Sequence, residues 1–168
     1  MRRALATARL KRPLTRFADE GGVAVIEAAI AFPFLVILMA GLFEFGLIFY
    51  NFQLVQTGVR DAGRYLSRVD DVAAAQENAK RLAVTGSPVA GNPPRVKWWS
   101  TAQVEVATRT VANPRDATTG LRNYRAGDTL TVVRVSTTIP YEGIGLLKAI
   151  GLGPIQIGAA HEERYVGN

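Results

Sequence analysis

The sequence predicts an α+β fold: a long N-terminal helix, a second short helix, then a small antiparallel β-sheet packed on the outer half of the long helix. Three observations carry this. The run Val23–Tyr50 is apolar almost throughout. Past it, apolar residues keep the three- and four-residue spacing of a helix. From Val104 onward, β-branched residues collect in short runs separated by Gly, Pro and Asn.

The chain has 168 residues, enough for one modest domain with appendages. Its net charge of +6 would ordinarily point to nucleic acid. Six basic residues, Arg2, Arg3, Arg9, Lys11, Arg12 and Arg16, stand in the first 22 positions against Asp19 and Glu20. That leaves 14 of the 20 basic and 12 of the 14 acidic residues to everything after Gly22. A basic tail beside a nearly neutral body reads as a membrane-orientation signal, with no nucleic-acid partner. Cysteine is absent, which excludes disulfides, thiolate metal sites and thiol nucleophiles.

Within VAVIEAAIAFPFLVILMAGLFEFGLIFY, residues 23–50, only Glu27 and Glu44 carry charge. As a helix this run is about 42 Å long at roughly 1.5 Å per residue, more than the ~30 Å hydrocarbon core of a bilayer. A cleavable secretory signal also has a basic start and an apolar core, but that core is usually only about 7–15 residues. The length therefore predicts a retained transmembrane helix. Basic residues outnumber those of the far flank, where Arg60, Arg64 and Arg68 follow Tyr50. The positive-inside bias then places the N-terminus in the cytoplasm and exports residues 51–168.

Val55, Val59, Ala62, Leu66 and Val69 form one apolar stripe beyond the membrane, with Arg60, Asp61 and Arg64 off it. Asp70 is the expected N-cap of a second helix, DVAAAQENAKRLAV, and Gly86 its stop. GSPVAGNPP, residues 86–94, is turn-rich. Strands are expected around Val104–Arg109, over Thr129–Ile139 and within Ile155–Val166. NPRDATTG and a Gly-rich crossover, GIGLLKAIGLGP, lie between them. Three strands need a cover for their apolar face, and the exported half of the long helix supplies it.

A carboxylate within a membrane segment is costly and points to a partner or a role. Glu27 is also only about 6 Å along the helix from Val23, at roughly 1.5 Å per residue, close enough to reach the headgroups. Both readings fit Glu27, and Glu44 poses the same choice at the other end.

The basic leader, Gly22, Glu27 at the fifth position beyond it and the continuous apolar helix resemble the class III signal of type IV pilin-like proteins. More specifically, residues 16–66 resemble the TadE-like minor pseudopilins of the tight-adherence (Flp) pilus system. The matching pieces are Gly22 and Glu27, Pro33 within the helix, the block GLFEFG from Gly41 to Gly46, and RDAGRY from Arg60 to Tyr65. AHEER, Ala160–Arg164, is similar to the family's short charged close. One departure is Ala28, where the family often has an aromatic residue.

The resemblance implies cleavage by a prepilin peptidase between Gly22 and Val23, on the cytoplasmic side. The chain would then comprise a leader, residues 1–22, a transmembrane helix, 23–50, an exported helical segment, 51–86, and a β-rich exported domain, 87–168. Glu27 would receive the terminal amine of a neighbouring subunit, and Pro33, Glu44 and Gly46 would serve helix packing or secondary assembly. Implied partners are the bacterial inner membrane, the prepilin peptidase, other pilin or pseudopilin subunits and the assembly platform. The exported part would be periplasmic, or extracellular within a pilus.

Other constellations give no chemistry. His161 is the only histidine, so neither a His-based triad nor a multi-histidine metal site can be built. Beside Glu162 and Glu163 it reads as solvated surface. The G-x-G pieces of the crossover lack the G-x-G-x-x-G context of a nucleotide site and read as a flexible connection. Trp98 and Trp99 are adjacent, so on a strand they would face opposite sides, one serving the core and the other open to an interface or the membrane surface. No catalytic residue, metal site, cofactor or small-molecule substrate is expected. Three classes of function follow: a minor pseudopilin or pilus-assembly component, a membrane-anchored exported binding or sensor domain outside any pilus, and a small exported enzyme. The Gly22–Glu27 spacing favours the first over the second, and the missing nucleophile–base pair counts against the third.

Overall fold

The computed structural model describes residues 20–149 and 151–167. Most of the basic leader, residues 1–19, lies outside them. The chain divides into two compact units, the first ending at Met39 and the second spanning Ala40–Asn168.

Helix α1 is Glu20–Leu66, 47 residues. Its apolar part averages a hydropathy of 2.5 over 18 residues, none of them buried, so it is long and apolar enough to cross a membrane. Such a surface is unfavourable in water and suggests that the helix serves as a membrane anchor. Pro33 sits inside α1 without ending it. Pro33 has no N–H, so the carbonyl of Ala29 lacks its usual helical donor. At the other end, Ser67 closes the helix: its N–H donates to Gly63 O at 2.9 Å and its hydroxyl to Arg64 O at 2.9 Å.

Helix α2 is Val72–Thr85. Its N-cap is Asp71, not the expected Asp70. Asp71 has extended backbone and its Oδ1 accepts Ala73 N–H at 2.8 Å and Ala74 N–H at 3.2 Å. Asp70 is occupied differently, its carbonyl accepting the Tyr165 hydroxyl at 2.9 Å. Gly86 ends the helix at φ 82°, a left-handed conformation suited to glycine. Ala75, Ala79 and Ala83 are buried at four-residue spacing, a small-residue face that lets α1 come close.

Three strands follow: β1 Val104–Ala112, β2 Thr129–Pro140 and β3 Gln156–Arg164. They form one antiparallel sheet in the order β1-β2-β3, with Val104 opposite Thr137 and Val135 opposite His161. Alternation in β2 is regular: Val133, Val135, Thr137 and Ile139 are buried and Arg134 and Thr138 exposed. Val55, Val59, Ala62 and Leu66 of α1 share one core with the α2 alanines, Val96, Trp99, Val104, the β2 residues and Ile157. The α+β arrangement read from the sequence is the one observed, with the sheet covered by the outer part of α1.

Trp98 and Trp99 are not on a strand. They lie in the turn before a single 3₁₀ turn, Thr101–Gln103. Trp99 is buried and its Nε1–H donates to Thr137 Oγ1 at 3.1 Å, whereas Trp98 is half-buried and meets the Tyr141 ring edge-on at 5.8 Å. The Gly-rich crossover is not a plain flexible connection either: it contains a short helix, α3, Leu146–Ala149.

Candidate functional site

Gly22 and Val23 lie in the first turn of α1, with Val23 exposed. The N–H groups of a first turn have no helical acceptors, so opening the backbone at this bond costs few hydrogen bonds. Glu27 is exposed one turn further on, and no side chain among the described residues forms an ion pair with it. The flanking Ile26 and Ile30 are exposed too, so the carboxylate stands on a bare apolar surface. Phe32 and Phe34 beside Pro33 are likewise exposed. Gly46 has nothing within 4 Å of where a Cβ would sit, so the helix surface is open there.

Glu44 has a different environment. It is 1% exposed, although Phe43 and Phe45 on either side are 68% and 47% exposed. Its Oε1 accepts Gly145 N–H at 2.8 Å and its Oε2 accepts Leu147 N–H at 2.7 Å. The crossover between β2 and β3 thus folds onto α1 and caps one carboxylate with two backbone donors. A carboxylate so satisfied costs far less to bury than a bare one. Beside it a cavity of about 320 Å³ is lined by Glu44, Tyr141, Gly145, Leu147, Leu152 and Pro154. Burial, and then the negative charge of Glu44, push the Tyr141 hydroxyl above the usual tyrosine range. Sequence reasoning flagged Glu44 but missed this clasp. The sequence signals only an acid in an apolar run and, about 100 positions away, a glycine-rich loop; it does not pair them.

The two charged segments quoted from the sequence, RDAGRY and AHEER, meet in the fold. Gly63 faces His161: a Cβ there would lie 2.9 Å from the ring's Cδ2. His161 Nε2 is 2.8 Å from Glu163 Oε1, and Glu163 approaches Arg64 at 3.9 Å. His161 is half-buried against α1 rather than solvated surface. Asp61 accepts from Arg95 Nη2 at 2.7 Å, tying α1 to the segment after α2. On the exposed sheet face, Glu162 accepts from Arg109 at 2.6 Å and Arg134 at 3.0 Å. Those hydrogen bonds hold its carboxyl below the usual glutamate range.

An exposed apolar helix headed by glycine and glutamate, continuing into RDAGRY on a packed outer stretch, is the arrangement that decides the comparison. Residues 22–64 are similar to one known family. They match the family model described as TadE-like protein, from Gly22 through the apolar span to Arg64. No curated protein and no solved structure matches the chain. The TadE-like segment supports a role broadly associated with the tight-adherence pilus, and it contains Glu27, Pro33, Glu44 and Gly46. The sheet and the crossover lie outside it.

Proposed function

We propose that this protein is a minor pseudopilin, or pilus-assembly component, of a tight-adherence (Flp, type IVb-like) secretion-pilus system. A prepilin peptidase cuts after Gly22, and the mature subunit associates with others through its N-terminal helix in the bacterial inner membrane. The observation that carries this reading is the TadE-like match, which opens at Gly22, the residue before the cut. Supporting it is Glu27, exposed and without an ion pair among the described residues.

Cleavage would leave a positive amino group on Val23, one helical turn from Glu27. In a medium of low dielectric, a carboxylate without a partner is expensive and an opposite charge is strongly attracted. The amine of a neighbouring subunit meets that need, so one charge pair sets the axial register between helices. Glu44 is satisfied within its own chain and does not compete for the amine.

The test is mass spectrometry of the protein from its native host, together with two variants. The mature chain is expected to begin at Val23, and Gly22→Leu to accumulate as a precursor retaining the leader. Glu27→Ala should still be cleaved but assemble poorly into pili. Native protein beginning at Met1, with normal piliation in Glu27→Ala cells, would support a membrane-anchored binding or sensor domain instead.

A further inference from the structure

We infer that the crossover Tyr141–Ile155 is a lipid-contacting foot, resting on the membrane surface at the outer end of the span. The inference rests on α1 crossing the membrane.

Glu44 fixes the level. Its two hydrogen bonds, to Gly145 and Leu147, hold the crossover against α1 at the helical turn that exposes Leu42, Phe43 and Phe45. Whatever medium surrounds those side chains also meets the crossover. There the crossover exposes Ile144 at 62% and Leu152 at 49%. Two large aliphatic residues so exposed on one short glycine-rich loop extend the apolar belt of the helix sideways.

Segment length identifies the medium. Val23–Phe43 supplies the roughly 20 residues that a helix needs to span the hydrocarbon core. Glu44 therefore falls at the boundary, where aromatic residues gather; Phe45, Phe49 and Tyr50 are exposed just beyond it. Lys148 is exposed on the same loop, placing an ammonium where lipid phosphates lie. Irregular backbone does not enter the hydrocarbon, so the loop lies in the headgroup layer with Ile144 and Leu152 dipping toward the acyl chains. The clasp gives Glu44 its donors at a depth where water is scarce, and it makes the foot part of the anchor.

The chain has no cysteine, so single cysteines can be introduced and labelled with the environment-sensitive fluorophore NBD. Full-length Ile144→Cys, Leu152→Cys, Thr118→Cys and Leu38→Cys would be reconstituted in phosphatidylcholine–phosphatidylglycerol vesicles. Quenching would be read with nitroxide lipids labelled shallow or deep on the acyl chain. Labels at 144 and 152 should emit to the blue of the label at exposed Thr118 and be quenched by shallow nitroxide, while Leu38 is quenched by deep nitroxide. With Leu38 quenched, water-like emission at 144 and 152 overturns the foot while the anchor stands. Blue-shifted but unquenched emission there also overturns it, because protein and not lipid then covers the loop. An unquenched Leu38 overturns the anchor, and the foot with it.

Discussion

Gly58 of α1 packs directly against the Ala83 carbonyl oxygen of α2: a Cβ on residue 58 would overlap that oxygen and stand 2.8 Å from Trp99 Cη2. Gly63, about a turn and a half further along, faces side chains alone, the edge of the His161 ring and, at 3.6 Å from a Cβ, Glu163 Cγ. Both sit within a helix, where alanine is intrinsically favoured over glycine by roughly 1 kcal/mol. The obstacle decides the sign. Backbone cannot yield without parting two helices, whereas a half-buried imidazole can shift by a few tenths of an ångström. Gly58→Ala should destabilise by about 1–3 kcal/mol, as overpacking does. Gly63→Ala should stay within about 1 kcal/mol of the unaltered protein. Thermal unfolding of the detergent-solubilised chain, followed by circular dichroism, separates the two.

Glu44→Ala removes the acceptors of two backbone N–H groups more than 100 positions away in sequence. Leaving such donors unpaired costs about 1–3 kcal/mol each when they are buried. The sheet does not depend on them, so the loss should appear locally. Hydrogen exchange at Gly145 and Leu147 should accelerate strongly in Glu44→Ala, while exchange in β2 is unchanged. Uniform acceleration across the sheet would mean that the clasp supports the whole fold.

These contacts divide what the sequence shows from what it hides. Val55, Val59, Ala62 and Leu66 could be read as a buried stripe because helical spacing is a local property, and all four are at most 1% exposed; Val69, the fifth residue expected in it, lies past the end of α1 and is half-buried. The strands were legible for the same reason, through runs of β-branched residues. Asp71 in place of Asp70 is a one-residue error, settled by the distant Tyr165 hydroxyl bound to the Asp70 carbonyl. The crossover read as flexible because nothing near it in sequence shows that Glu44 will bind its N–H groups. His161 read as solvated because the hollow that admits its ring is made by the missing side chain of Gly63. Within the candidate site, Gly22 and Glu27 stand out in the sequence through the family resemblance, and their proposed roles await the cleavage and assembly tests. The distinct environment of Glu44 needed the tertiary fold.

Glu162 gives a prediction about acid. Its hydrogen bonds from Arg109 and Arg134 lower its carboxyl below the usual range, so the unfolded chain takes up the proton at higher pH than the folded one. The pairs therefore add stability above the ordinary glutamate range, and that contribution is lost as pH falls through the lowered folded value. All three side chains are substantially exposed, so the effect is small. Glu162→Gln should melt slightly below the unaltered protein near neutral pH, and the gap should close as pH falls below the ordinary glutamate range. Asp116, lowered by the N–H and hydroxyl of Thr119 and by the N–H of Thr118, is present in both proteins and cancels in the comparison. A gap unchanged by acid would show that the arginine pair contributes through packing alone.

Residues 87–168 should not fold by themselves. The described core draws on Val55, Val59, Ala62 and Leu66 of α1 and on Ala75, Ala79, Ala83 and Val84 of α2. A fragment beginning at Asn51 keeps all of these; one beginning at Ser87 keeps only Val96, Trp99, Val104 and the strand residues. Three strands with one apolar face and no cover are marginal in water. The fragment 51–168 should fold, with mixed helix and strand by circular dichroism, and unfold cooperatively. The fragment 87–168 should bind the apolar dye ANS and aggregate or stay disordered. Leu66→Asp in the longer fragment should cost at least about 3 kcal/mol, because it opens the core and buries an unpaired charge. Gly58→Ala should weaken that fragment in the same direction by a smaller amount, since it strains the helix contact without removing apolar surface. Cooperative unfolding of 87–168 at a stability equal to that of 51–168 would make the sheet independent of α1. The buried stripe from Val55 to Leu66 would then have to owe its burial to something other than the sheet's need for a cover.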